Sequence, residues 1–353
     1  MSAVAILGAG IMASALTVPL TRNGHRVHLV GTHLDTEIID AIQRTGVHPH
    51  LGIALPEGVT AFQLEQAREA FAGAEVAISG VNSFGVTWAG QQLSALLRPG
   101  MRVLSITKGM DADGAGDLRI LPEVLMEQVG AGLAGQVTWS AIVGPSIAGE
   151  VAVEHDTAVV FTGTDQESLD ALAHMFRTDA YHVWTSTDFL GHEIGAATKN
   201  VYAFAAGFME GLLDAAGEGT GQYRRYNYGA AVFAQGTREM LRFIELLGGD
   251  RETTTGLAGV GDLFVTSMGG RNVRAGRYVG SGVPFSEVRD QHMKGVTLEG
   301  VAAIEVIGAA IEKLTEREVI EAEEFPLLRH LYGIIAHDEP LEMPFRDFFG
   351  GMR

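Results

Sequence analysis

The chain contains no cysteine, which excludes disulfides, thiol nucleophiles and thiolate metal sites and leaves the redox compartment undetermined. Positive charge is scarce: 25 lysines and arginines face 43 aspartates and glutamates, for a formal net charge of −18. Such a surface favours solubility and argues against broad contact with nucleic acid. A small anionic ligand then needs a local pocket of positive charge. No apolar run is long enough to span a bilayer, and the first residues enter a strand pattern without a basic stretch or cleavage site before it. We therefore expect neither a membrane segment nor a signal peptide, and the cytoplasm is the expected location. Internal repeats, low-complexity tracts and clusters of metal ligands are also missing.

What is present is glycine, 46 residues of 353, gathered in short motifs with no collagen-like period. A composition of 46% hydrophobic and 19% charged residues suits a globular chain of about two domains. Val4–Leu7, Arg26–Val30, Glu75–Ser79, Arg102–Ile106, Ser140–Val143 and Thr157–Phe161 read as buried strands. They alternate with helical or loop segments, which predicts a parallel, doubly wound sheet. Beyond about residue 188 the periodicity becomes helical, over Leu190–Leu213, Gly229–Leu247, Leu298–Leu314 and Glu321–Ile335. The expected fold is α/β: a Rossmann-like doubly wound sheet over residues 1–188, then an all-helical domain over 189–353.

Gly8-Ala-Gly10-Ile-Met-Ala13 follows the first strand and opens a helix, in the G-x-G-x-x-A form of the dinucleotide fingerprint. The first glycine makes the turn, the second lets backbone approach a pyrophosphate, and the small third residue lets helix and strand pack closely. The phosphates then rest on the helix N-terminus. The second strand ends in Gly31-Thr32-His33, with neither an acid nor an arginine at its tip and with Asp35 slightly later. An acid there favours NAD and a basic residue NADP. NAD or NADP is expected, with a lean to NADP.

Lys199 lies in an apolar helical run, Glu193-Ile-Gly-Ala-Ala-Thr-Lys199-Asn200-Val-Tyr. Burying a lone ammonium is costly unless something pairs with it. A lysine kept there is either a snorkelling side chain or a group for proton chemistry on a carbonyl or alcohol. Four more segments concentrate small and polar residues. Thr107-Lys108-Gly109 ends a strand, and Gly144-Pro-Ser146-Ile-Ala148-Gly-Glu150 follows another. Gly256 to Thr266 is a glycine-rich loop that presents Asp262 and the Thr266 hydroxyl. Arg271-Asn272 offers a guanidinium beside an amide, suited to a phosphate dianion.

Taken in order, these segments resemble the NAD(P)-dependent glycerol-3-phosphate dehydrogenase family, from the Gly8 turn to about Val306. The resemblance implies an oxidoreductase that interconverts dihydroxyacetone phosphate and sn-glycerol 3-phosphate. It makes Lys199 the proton donor and acceptor, with Lys108 and Asp262 beside it in the catalytic set. Lys108, Gly144, Ser146, Asn200, Thr266, Arg271 and Asn272 are the implied substrate contacts. Gly8, Gly10, Ile11, Met12, Ala13, Thr32, His33, Ser83, Lys108, Ala148, Arg271 and Glu299 are the implied cofactor contacts. No metal is implied, the substrate is a small phosphate ester, and the expected assembly is a homodimer.

The match frays in places. Met12 and Ala13 stand where the family usually has Trp-Gly, Asn82-Ser83 where it has Pro-Ser, and Gly270 where a serine precedes the Arg-Asn pair. Gln222 to Tyr228, with Arg224 and Arg225, and Met343 to Phe349 are also unlike the usual sequence. The two arginines read as an interface or surface feature. These departures motivate a rival, a dehydrogenase of a larger polyol or ketose phosphate. A second rival, a non-catalytic NAD(P)-binding sensor, has no use for the proton-transfer groups.

Overall fold

The computed structural model describes residues 2–217 and 224–352. The chain divides into two compact units, Met1–Lys108 with Leu121–Phe189, and Gly109–Ile120 with Leu190–Arg353.

The first unit is built on an eight-stranded sheet. Its spatial order is Tyr181–Ser186, Thr157–Gly163, Thr138–Val143, Arg102–Ser105, Val76–Ser79, Ala3–Leu7, Arg26–Val30 and Val59–Phe62. The central strands Ala3–Leu7 and Val76–Ser79 are buried along their whole length, as strands covered on both faces must be. Leu7 is in register with Val30 on one side and Ser79 on the other. Parallel pairing therefore brings the carboxyl ends of these strands to one edge. The chain winds outward from Ala3–Leu7 to Val59–Phe62, then crosses back to Val76–Ser79. The order reverses beside Gly8, which is where α/β sheets open a ligand crevice.

One pairing departs from the expected parallel sheet: Thr138–Val143 and Thr157–Gly163 run antiparallel. The only helix between them is Ala148–Ala152. Five helical residues rise about 7.5 Å, well short of the roughly 20 Å of a six-residue strand, so the chain turns back instead of crossing over. The two edge strands were not legible in the sequence. Val59–Phe62 and Tyr181–Ser186 are part-exposed and mix polar with apolar residues. Val4, Ile6, Leu16, Leu29, Phe161 and Phe176 are among the residues that fill the core on these elements.

The second unit is helical. The expected helix Leu190–Leu213 is two helices, Phe189–Ala206 and Phe208–Ala215, interrupted at Gly207. The interruption coincides with a backbone crossing. A Cβ on Gly276, in the helix Arg271–Gly280, would stand 1.8 Å from the Phe204 carbonyl oxygen, so only glycine fits there. The expected glycine-rich loop is also helical: Leu257–Gly261 is a π-turn that runs into the helix Asp262–Ser267. The hairpin Met110–Ala112 and Leu118–Ile120 belongs to this unit. Lys313 donates to the Gly114 carbonyl at 3.1 Å, and Arg317 pairs with Asp117 at 2.8 Å.

A buried carboxylate joins three helices here. Glu239, in Tyr226–Leu246, accepts from the Leu327 and Leu328 amides at the start of Pro326–His337, at 2.7 and 2.9 Å. It also accepts from Gln235 at 2.8 Å and from the hydroxyl of Tyr202, in the lysine helix, at 3.2 Å. Burial pushes its carboxyl up to about 7, against the pull of those four donors. No helix among the described residues is long and apolar enough to cross a membrane.

Candidate active site

In the first unit the sheet delivers Gly8, Thr32, Lys108 and Gly144 to the carboxyl edge, each just beyond a strand. Gly8 has a φ of +114°, and a Cβ there would lie 2.7 Å from the Gly80 carbonyl oxygen. Gly80 is in turn held to glycine, because a Cβ there would fall 2.7 Å from that of Ala13. Gly10 differs. The nearest atom to its hypothetical Cβ is 3.9 Å away, so internal packing does not demand glycine there. A bare Cα at the head of the helix Ile11–Ala15 suits close approach by a pyrophosphate. The turn fits a dinucleotide.

The tip of the second strand is not as the sequence suggested. Asp35 folds back on it: one carboxylate oxygen accepts from the Thr32 amide at 2.9 Å, the Thr32 hydroxyl at 2.8 Å and the Ala9 amide at 3.1 Å. An acid therefore stands at the tip in space, though not in sequence. Thr32 is buried, and His33 is exposed with its ring edge-on to Trp88 at 5.2 Å. Ile11 is exposed beside the glycine turn. Met12 fills the position of the usual tryptophan and takes a weak contact from the Ser146 hydroxyl, Oγ to Sδ 3.8 Å. Lys108 donates to the carbonyl oxygen of Gly144 at 2.9 Å. Ser83 opens a short 3₁₀ turn capped by the Asn82 side chain, and Ala148 heads its own helix.

The second unit holds the other group. Lys199 is 8% exposed and Asp262 1%, and the lysine Nζ is hydrogen-bonded to Asp262 Oδ1. The ammonium is not left among alanines; it is balanced by a carboxylate 63 residues later. Such a pair persists in the interior only while both partners remain. Asp262 is also the first residue of its helix, where negative charge is favoured. The Thr266 hydroxyl bonds its own helix, to the Asp262 carbonyl at 2.7 Å.

Arg271 and Asn272 are the first two residues of Arg271–Gly280. Asn272 bridges two neighbours, donating to Asn200 Oδ1 at 3.5 Å and accepting from the Gly300 amide at 3.1 Å. Arg271 Nη2 lies 2.9 and 3.1 Å from the two oxygens of Glu299. The two residues expected on phosphate and cofactor thus hold each other. The guanidinium is half-exposed and belongs to the first residue of its helix, a good place for a phosphate dianion. No group of side chains that could hold a metal ion occurs among the described residues.

Of the diverging segments, Gln222 and Tyr223 lie outside the described residues. Arg225 adopts a left-handed conformation just before the helix Tyr226–Leu246, and Arg224 lines a cavity with Glu210, Asp214, Tyr226 and Arg277. The unusual C-terminal segment packs on the same helix. The rings of Phe345 and Tyr228 meet edge-on at 5.2 Å, and the Phe349 amide donates to Gln235 at 3.0 Å. Sequence reasoning missed His48 and Glu239 altogether. Each is buried, and each is important through a contact far along the chain.

Known proteins match this arrangement over nearly the whole chain. Residues 3–169 fit the family model for the N-terminus of NAD-dependent glycerol-3-phosphate dehydrogenase, and residues 188–345 fit that for its C-terminus. An NADP(+)-dependent glycerol-3-phosphate dehydrogenase of Archaeoglobus fulgidus is 37% identical over 86% of each chain. A glycerol-3-phosphate dehydrogenase [NAD(P)+] of Desulfitobacterium hafniense is 34% identical over 87% of this chain and 81% of its own. The crystal structure of glycerol-3-phosphate dehydrogenase from Coxiella burnetii superposes with a TM-score of 0.76 at 28% identity, covering 96% of this chain and 95% of that one. On these grounds the chain belongs to the NAD-dependent glycerol-3-phosphate dehydrogenase family.

Proposed function

We propose that this protein reduces dihydroxyacetone phosphate to sn-glycerol 3-phosphate, and catalyses the reverse, with a nicotinamide dinucleotide. The observation that carries the reading is the buried Lys199–Asp262 pair in a chain that also keeps the dinucleotide turn. The nicotinamide, when bound, supplies the hydride that C2 receives. Lys199 gives its Nζ proton to the C2 oxygen as that hydride arrives, and takes it back in the reverse direction. Asp262 balances the ammonium charge and fixes its direction. Arg271 and Asn272 hold the phosphate, Asn200 orients the substrate, and Glu299 releases Arg271 as the dianion docks. Lys108, Gly144 and Ser146 add contacts from the carboxyl edge of the sheet.

For the cofactor we propose NADP(H) over NAD(H). The Archaeoglobus relative is named as NADP(+)-dependent, and His33 is exposed at the tip. The Asp35 carboxylate pulls the other way. Purified protein is assayed with dihydroxyacetone phosphate and either NADH or NADPH, by loss of the reduced nicotinamide absorbance. Oxidation of neither cofactor removes the proposal. Faster turnover of NADH at equal low concentration makes Asp35 the ribose reader instead.

A second reading has one observation behind it. Nothing lies within 4 Å of a Cβ built on Gly270, and a cavity opens there beside Arg271 and Arg274. That room favours a longer ketose phosphate. A four- or five-carbon ketose phosphate with higher kcat/KM than dihydroxyacetone phosphate would establish it; lower values for every longer substrate dismiss it.

A further inference from the structure

His48 is fully buried in the small hairpin Val47–His48 and Ile53–Ala54, and both ring nitrogens are in use. The amides of His50 and Leu51 aim at Nδ1, at 3.2 and 3.1 Å. Nδ1 is therefore the acceptor, and Nε2 carries the hydrogen. Nε2 lies 3.0 Å from the carbonyl oxygen of Ala9, the middle residue of the dinucleotide turn. In a planar trans peptide the Ala9 carbonyl and the Gly10 amide point in opposite directions. Holding one aims the other. Asp35 does the same for the preceding peptide through the Ala9 amide. The turn is clamped on both sides, by the Asp35 and His48 side chains.

We infer that His48 is a positioning residue for the cofactor turn: it aims the Gly10 amide by holding the Ala9 carbonyl. This rests on the dinucleotide reading of that turn. The consequence is selective. Loss of the bond lets the turn relax and weakens the cofactor, while the proton-transfer pair in the other unit is untouched.

Two variants of the full-length protein separate the two jobs of the ring. His48→Gln keeps a donor at the ε position for Ala9 and loses the acceptor for His50 and Leu51. His48→Asn does the reverse. Steady-state assays use dihydroxyacetone phosphate with whichever of NADH and NADPH the wild type prefers. The cofactor KM is expected to rise about tenfold in the Asn variant and to stay within about threefold in the Gln variant. kcat and the KM for dihydroxyacetone phosphate should hold in both. An Asn variant with the wild-type cofactor KM overturns the inference, and so does a parallel rise in both KM values in both variants. A wild type that binds neither cofactor refutes the dinucleotide reading itself, and the inference with it. Where a variant does not fold, ¹⁵N shifts of the His48 ring in the wild type decide. A hydrogen on Nε2, shielded from exchange, is expected; a hydrogen on Nδ1 overturns the assignment.

Discussion

Lys199 owes its burial to Asp262, and each is a liability without the other. Lys199→Ala removes the proposed proton donor and leaves the Asp262 carboxylate in the interior without its lysine partner. kcat should fall by about 10²- to 10⁴-fold, and stability by roughly 3 kcal/mol, while cofactor binding measured by fluorescence titration persists. An alanine variant with more than a tenth of wild-type kcat sinks the role given to Lys199. This residue was legible in the sequence because a lone charge in an apolar run is conspicuous. Its partner stood out in the sequence as the carboxylate of a glycine-rich loop, but its place beside Lys199 came only from the family resemblance, since 63 residues separate the two. Asp35 was visible but misplaced: counting along the strand put it past the tip, whereas the turn at Thr32 folds it back. His48 gave no signal at all, because a histidine in a short segment bounded by Gly46 and Gly52 looks like a surface turn.

Between elements, the carboxylate of Glu239 does what a hydrogen bond between two helices cannot. It caps the start of Pro326–His337 and takes the Tyr202 hydroxyl, which lies one turn beyond Lys199. The price is a buried acid whose carboxyl is raised from 4.5 to about 7. The folded state therefore holds its proton more tightly than the unfolded chain. Its contribution is fully present below about 4.5 and is lost as pH rises through about 7. Glu239→Gln abolishes that titration but aims an amide donor at a backbone amide whichever way it turns, since each carboxylate oxygen accepts one of them. The variant should be less stable than wild type at pH 5, and the gap should narrow by pH 8. Urea midpoints across that range check it, and a gap that widens with pH contradicts the assignment. Glycine is what made the helices hard to read. Gly207 and Gly276 look like poor helix residues, yet they are what lets two backbones touch. Strand centres were legible because burial on both faces leaves an unbroken apolar run; the edge strands, part-exposed, did not show.

Across the molecule, the change of periodicity near residue 188 announces the helical segment, but the sequence cannot show that residues 109–120 fold with helices 200 residues later. That hairpin is held by Lys313 and Arg317, two ordinary surface cations. Two departures read separately in the sequence, at Tyr228 and at Phe345, are one packing contact in the fold. Most proposed cofactor residues, from Gly8 to Ala148, lie in the first unit. A ligand that binds the native state stabilises it by RT ln(1 + [L]/Kd), about 2.7 kcal/mol at one hundred times Kd. A tenfold preference between two cofactors at equal saturating concentration is then worth about 1.4 kcal/mol. In a chain of this length that is a shift of a few degrees in Tm at most. NADPH should raise the midpoint further than NADH, and the substitution His48→Asn should shrink both shifts together. A larger shift with NADH reverses the cofactor assignment and leaves the turn intact. Equal shifts from the two cofactors mean that the 2′-phosphate is not recognised. In a chain of net charge −18, whose acids repel a cofactor carrying one more phosphate, a preference for NADPH must be built locally, at that strand tip.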